Sequence, residues 1–213
     1  LGHDTVVVNR GGGRAAMMTD THNVLGVSEN VSGNQLLQTG IEQLQGYGAD
    51  YTQDYVPAIE ALDGGDGDGG FSVTAASAGV PTDHVVLATG FSDEHPDPPL
   101  PRTGNGLHYC LHCDSYMFVD EPVYVMGTGD SAAYVAMIML NFTPDVDILM
   151  REDDIEWSDE TAEMLENHPI DIIHEEIVGL EKDNDGWLSA FEFEDGSVRE
   201  YRGGFPMYGS NYN

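Results

Sequence analysis

Val123-Tyr-Val-Met126, a glycine turn, an apolar run at Ala132–Leu140 and a second apolar run at Val146–Met150 follow one another directly. Strand, turn, helix and strand at these lengths make a βαβ unit, and so a parallel sheet with a right-handed crossover. The turn reads Gly127-Thr-Gly129-Asp130-Ser131-Ala132, a G-x-G-x-x-A pattern. In such a pattern the first glycine permits the tight turn and the second lets the backbone approach a pyrophosphate. The small third position lets helix pack on strand, and the helix N-terminus offers N–H donors to the anion. A plain glycine-rich turn would look the same, so the motif alone leaves both readings open.

A dinucleotide's ribose is read at the end of the next strand, ~20 residues further on, where Met150-Arg151-Glu152-Asp153-Asp154 lies. One arginine beside three carboxylates provides poorly for a 2′-phosphate, whereas an acidic residue suits a ribose 2′-OH. NADH is therefore favoured over NADPH as the nicotinamide partner. The same acids also fit an acidic solvent-facing surface.

The rest of the chain gives coarser signals. Asp4–Asn9 reads as a buried strand before the turn at Gly11-Gly12-Gly13. Ser32-Gly-Asn-Gln35 has the form of a capping box; the helix it opens carries Leu37, Ile41 and Leu44 on one face and ends at Gly46 or Gly48. A Gly/Asp tip at Gly64–Gly70 is flanked by strand-like Tyr55–Ile59 and Phe71–Ala76, and Val85–Gly90 reads as a short buried strand. Pro96, Pro98, Pro99 and Pro101 make a stiff connector and place a domain boundary between 101 and 102. Ser158 caps a short helix ending before Pro169, and Ile170–Tyr208 reads as an antiparallel meander split by Asp-Gly turns.

Cys110 and Cys113, the only cysteines, form one C-x-x-C within His108-Tyr-Cys110-Leu-His112-Cys113-Asp114. Two thiols at this spacing can close a disulfide, often with one at a depressed pKa. Asp114 can serve as general acid toward a departing thiolate, or simply cap a helix. His108, Cys110, His112 and Cys113 are all zinc-competent. Adjacent His112 and Cys113 suit one tetrahedral ion poorly, however, and no second ligand cluster stands at zinc-site spacing. The redox dithiol is the stronger reading, with the two histidines as packing or hydrogen-bonding residues.

Charge narrows the partners. Asp and Glu number 38 against 7 Lys and Arg, a net −31, and Lys182 is the only lysine. Such a surface repels nucleic acid and anionic membranes. At molar salt the Debye length falls to ~3 Å and self-repulsion is screened, so the composition points to a halophilic, cytoplasmic setting. Apolar runs at Val6–Val8, Val85–Ala88 and Val123–Met126 argue for a packed fold over disorder. None is long enough for a membrane span, and no signal-peptide pattern is present.

Ala88-Thr89-Gly90, then C-x-x-C-Asp at 110–114, then G-x-G-x-x-A at 127–132 together resemble the low-molecular-weight thioredoxin reductases. Thr21-His-Asn23-Val-Leu-Gly26, Ser32-Gly33 and Tyr47-Gly-Ala-Asp50 extend the resemblance upstream. It implies an α/β fold of two Rossmann-like dinucleotide-binding domains, with the nicotinamide domain inserted into the flavin domain. On that scheme 1–101 is partial FAD-binding domain and 102–213 is the NAD(P)-binding domain.

By the same resemblance Cys113 meets the isoalloxazine, Cys110 exchanges with a thioredoxin-like protein, and Asp114 is the acid/base. Asn23, Thr89 and Gly90 lie along FAD. Gly127, Gly129, Asp130, Ser131 and Ala132 hold the nicotinamide pyrophosphate, and Arg151 lies by the ribose. A homodimer is expected. The family's opening G-x-G-x-x-G and its closing Gly-Asp segment have no counterpart, so the chain is expected to be a fragment with the flavin domain incomplete. Asn9 and Arg10 stand where an acidic ribose ligand is common, and Met150-Arg151-Glu152 replaces the family's His-Arg-Arg, which leaves a donor other than NADPH. A non-catalytic redox or nucleotide sensor on the same scaffold is the competing expectation.

Overall fold

The computed structural model describes residues 2–22, 24–28, 30–63, 69–75, 78–95, 99–101, 103–150 and 155–213, in two units divided between Gly90 and Phe91.

In the first unit β1 (Val6–Val8) pairs in parallel with β2 (Asp50–Thr52), Val7 opposite Tyr51. Between them lie α1 (Arg14–Met17) and α2 (Gly33–Gly46). The capping box forms as predicted: Gln35 N–H donates to Ser32 Oγ at 3.2 Å and Ser32 N–H donates to Gln35 Oε1 at 2.8 Å. Leu37, Ile41 and Leu44 are half-buried along one face. An antiparallel meander follows: β3 (Ala58–Ala61), β4 (Phe71–Ala75) and β5 (Ala78–Thr82). The expected strand at Tyr55–Ile59 lies at 58–61 instead. Pro57, with no N–H and a fixed φ, cannot continue a ladder, so pairing begins after it. Of the expected tip, 64–68 falls outside the described residues.

Two expectations for this unit are corrected. β1 is a strand but not a buried one, with Val6 at 53% exposure; its sheet is only two strands wide. Val85–Gly90 is no strand: it carries no regular structure, and Val86 and Leu87 are exposed. An extended segment needs a ladder partner for its N–H and C=O groups, and no described strand pairs with this one.

The second unit holds β6 (Phe91–Asp93), α3 (Leu111–Asp114) running into a 3-10 turn at Ser115–Phe118, β7 (Val123–Met126), α4 (Asp130–Met139) and β8 (Val146–Leu149). Then come α5 (Asp159–Glu166), β9 (Ile170–Ile173), β10 (Ile177–Lys182), β11 (Leu188–Phe193), β12 (Val198–Glu200), β13 (Gly203–Pro206) and β14 (Ser210–Tyr212). The predicted βαβ unit forms, in a four-stranded parallel sheet ordered β13-β7-β8-β9. Ser158 caps α5 through Thr161 N–H, as its sequence predicts.

The meander is shorter than predicted. Only β10–β12 are antiparallel, while β9 and β13, at the ends of the predicted stretch, join the parallel sheet. β13 can lie there because Gly204 has no side chain: a Cβ would come 2.1 Å from the Tyr124 carbonyl oxygen. Pro206 is tolerated since β13 is the sheet edge.

Strand alternation sorts β7 between two layers. Val123 and Val125 pack with α4, α5 and Phe205; Tyr124 and Met126 pack with Leu188, Phe191, Phe193 and Tyr201 of the β10–β12 side. Tyr124 is fully buried, its hydroxyl donating to Gly106 O at 2.8 Å, and burial pushes its pKa well up. β6 pairs antiparallel with β14, Ser92 opposite Asn211. That pairing ties 91–93 to the second unit.

Candidate functional site

The dithiol segment hangs from the edge strand. His108 N–H donates to Gly204 O at 2.9 Å, and Gly204 N–H to Gly106 O at 3.0 Å. Beyond it Cys110 caps α3, and the N–H groups of Cys113 and Asp114 both donate to its carbonyl at 3.1 Å. This turn brings the two sulfurs together as a disulfide, with Cα atoms 5.2 Å apart and both cysteines half-buried.

Asp114 makes no capping bond. Its Oδ2 accepts instead from His108 Nδ1 at 3.0 Å, a pairing that reading the residues one by one does not reveal. The His108 ring is buried against Phe118, Trp187 and Phe205. Next to it the Tyr109 hydroxyl hydrogen-bonds His95 Nδ1. The zinc-competent residues do not converge: the sulfurs bond each other, and among the described residues no three His, Cys, Asp or Glu side chains gather for a metal ion.

The glycine loop lies between β7 and α4. Gly127 has φ +150, and a Cβ there would come 2.9 Å from Met207 O and 3.0 Å from the Ala132 Cβ. The fold itself demands that glycine, and also the fully buried, small Ala132. Gly129 differs: its φ of −107 suits any residue, and a Cβ would meet nothing within 4 Å. Neither backbone nor packing calls for glycine there.

The loop is also tied to the stretch before α5. Thr128 Oγ1 donates to Glu156 Oε2 at 3.0 Å, and Glu156 N–H donates to Thr128 O at 2.7 Å. Asp130 Oδ1 accepts from Ser158 N–H at 2.8 Å, and this bond, with that from Thr161, holds its carboxyl below the ordinary range. Two carboxylates therefore flank the loop, and Ser131 is exposed beside them. Glu156 was not singled out by sequence; a carboxylate two residues ahead of a helix cap carries no local signal.

The remaining expected residues are not gathered here. Asn23 and Arg151 fall outside the described residues. Thr89 and Gly90 lie exposed in the irregular end of the first unit, Gly90 at φ +68.

A parallel α/β layer with a dinucleotide-type loop at one strand end and a vicinal disulfide beside an acid defines the class of disulfide oxidoreductase domains. Comparison with known proteins places the chain within it: residues 7–209 match the pyridine nucleotide-disulphide oxidoreductase family, and the chain belongs to that family. A thioredoxin reductase of Penicillium chrysogenum is 27% identical over 190 residues, covering 81% of this chain and 55% of that protein. One from Streptomyces clavuligerus is 30% identical over 155 residues, covering 69% and 45%. Among solved structures, HlmI superposes with a TM-score of 0.84 at 26% identity, over 97% of this chain and 64% of that one. The thioredoxin reductase of Streptococcus pyogenes gives 0.83 at 25% identity, over 97% and 69%. The chain spans about half the length of the curated relatives it matches.

Proposed function

We propose that the chain is part of a thioredoxin-reductase-like flavoprotein that passes electrons from reduced nicotinamide, through FAD, to the Cys110–Cys113 disulfide and on to a thioredoxin-like protein. The observation that carries this reading is the disulfide with Asp114 on its own turn, in a unit whose glycine loop leaves Gly129 open. Gly127, Gly129 and the first N–H groups of α4 would hold the nicotinamide pyrophosphate, and Asn23, Thr89 and Gly90 would lie along FAD. When bound, these cofactors supply the electron pair that opens the disulfide. The protein's own part is to present the two sulfurs, with Cys110 toward the partner protein, and to protonate a departing thiolate from Asp114.

The three carboxylates of Glu152, Asp153 and Asp154, with Arg151 as the one cation among them, provide poorly for a 2′-phosphate, so NADH is the preferred donor. A homodimer in the cytoplasm of a halophile fits the family and the acidic composition. Among the described residues no helix is long and apolar enough to cross a membrane.

The intact protein containing this chain, purified in molar KCl, tests the reading. Its flavin absorbance should bleach with NADH faster than with NADPH and recover on adding a thioredoxin-like disulfide. Cys113→Ser should keep the flavin and lose turnover. Reduction of the disulfide substrate by that variant at the wild-type rate would end the assignment. Nucleotide binding without electron transfer would favour the sensor reading.

A further inference from the structure

His108 sits in a place built for a phenyl ring. Its side chain is 4% exposed, edge-on to Phe118 at 5.1 Å between centroids, stacked near Trp187 at 6.2 Å and tilted against Phe205 at 6.2 Å. Its Nε2 is buried and has no hydrogen-bond partner among the described residues. A phenylalanine would fill this box without stranding a polar atom, whose burial is costly. What a phenylalanine could not do is reach Asp114 with Nδ1.

We propose that His108 is a positioning residue for the dithiol, acting through Asp114. With Nε2 buried and lacking a partner among the described residues, the ring proton belongs on Nδ1, where it is donated to Asp114 Oδ2. Oδ2 is engaged by His108, which leaves Oδ1 as the oxygen of Asp114 that faces a departing thiolate's proton demand. His108 itself cannot drift, because its backbone N–H is fixed to β13 through Gly204. The effect is to give Asp114 one orientation and one delivering oxygen on the turn that carries both sulfurs.

The step is a thiol–disulfide exchange with a dithiol reductant. A reductant thiolate attacks one sulfur of the Cys110–Cys113 bond, and that bond breaks. The electron pair leaves on the other cysteine sulfur, which takes the proton from Asp114. The reductant's second thiolate then displaces the attacked cysteine as a thiolate, which takes its proton from water, and closes a ring, so the reductant is oxidised by two electrons as the protein disulfide becomes a dithiol. This inference rests on the reading of Asp114 as the acid of the disulfide, but it needs neither flavin nor nicotinamide to be tested.

The experiment follows reduction of the oxidised full chain by dithiothreitol at fixed pH in molar KCl, with acid quench, alkylation and mass spectrometry. His108→Phe should keep or raise the thermal midpoint, having removed a stranded nitrogen, and should slow reduction by about 10- to 100-fold, the effect of one hydrogen bond to a charged group. His108→Asn, whose amide can donate from near the Nδ1 position, should recover most of the rate, and His108→Gln, whose amide reaches toward Nε2, should not. Asp114→Asn should be at least as slow as His108→Phe, and the double variant no slower than Asp114→Asn alone.

Wild-type rates for His108→Phe, equal rates for the Asn and Gln variants, or a double variant slowed by the product of the single effects would each overturn the proposal. Should the Phe variant fail to fold, the Asn–Gln pair decides alone. A flavoprotein that never turns over would sink the proposed function and leave this result standing. Normal turnover with an indifferent His108 would do the reverse.

Discussion

The two units of this chain solve the folding problem to different depths. Residues 91–213 stack two hydrophobic clusters on the faces of one parallel sheet, with Phe118, Tyr124, Phe191 and Phe205 fully buried. In residues 1–90, only Thr21 and Gly33 are buried among the described residues, while Val6, Leu25, Val86 and Leu87 face solvent. Yet the first unit has a complete capping box, a two-helix contact and a regular meander. Secondary structure is thus specified locally in both, but only the second unit turns it into a core. The better-packed unit also carries the heavier charge, with 27 acidic against 5 basic residues where the first has 11 against 2.

The largest expected consequence is separate unfolding. Both tryptophans, Trp157 and Trp187, lie in the second unit, so their fluorescence reports that unit alone, whereas far-ultraviolet circular dichroism reports both. The dichroism should begin to fall well before the fluorescence, and a fragment of 91–213 should keep the later transition. One coincident transition by both probes would abolish the contrast.

Next in size are truncations. Phe205→Ala should cost about 3–5 kcal/mol, while Val6→Ala should stay within about 0.5 kcal/mol. Comparable losses measured in urea would mean that β1 is packed after all.

Salt should act more gently. Raising KCl toward molar concentrations should lift the fluorescence midpoint more than the earlier transition, because self-repulsion is greater in the second unit. Indifference of both to KCl would remove the halophilic reading.

The smallest effect concerns one carboxylate of the β10–β11 turn. The N–H of Trp187, then the Arg202 guanidinium, hold Asp183 below the ordinary range. A depressed folded value contributes stability above the unfolded pKa of ~3.9 and loses it as pH falls. Asp183→Asn should therefore lower the midpoint slightly at neutral pH, and the difference should vanish in acid. A gap that persists in acid would assign the effect to packing of Arg202 over Trp187.

What was legible in the sequence was what neighbours along the chain dictate. The βαβ unit, both helix caps and the vicinal sulfur pair follow from short-range patterns, and each forms as read. β13 was hidden because Gly203-Gly-Phe-Pro206 has no alternation and the wrong residues for a strand; its reason is the Tyr124 backbone beside it. Val85–Ala88 erred the other way, since an apolar run announces burial but cannot supply the partner that burial requires.

The site divides along the same line. The pairing of Cys110 with Cys113 follows from their spacing, whereas the aromatic walls around His108 come from Trp187 and Phe205, far along the chain. The use of Glu156 against Thr128 likewise depends on tertiary approach.

The β6–β14 ribbon has an architectural consequence. It sets the incoming and outgoing strands of residues 91–213 side by side, with Ser92 Oγ donating to Asn213 Oδ1 and Asn211 donating to Glu94. A stretch of chain flanked by two strands paired in this way can be spliced into a surface loop of a host without stretching either. Recombination can then move the sulfur pair, Asp114 and the glycine loop as a single cassette.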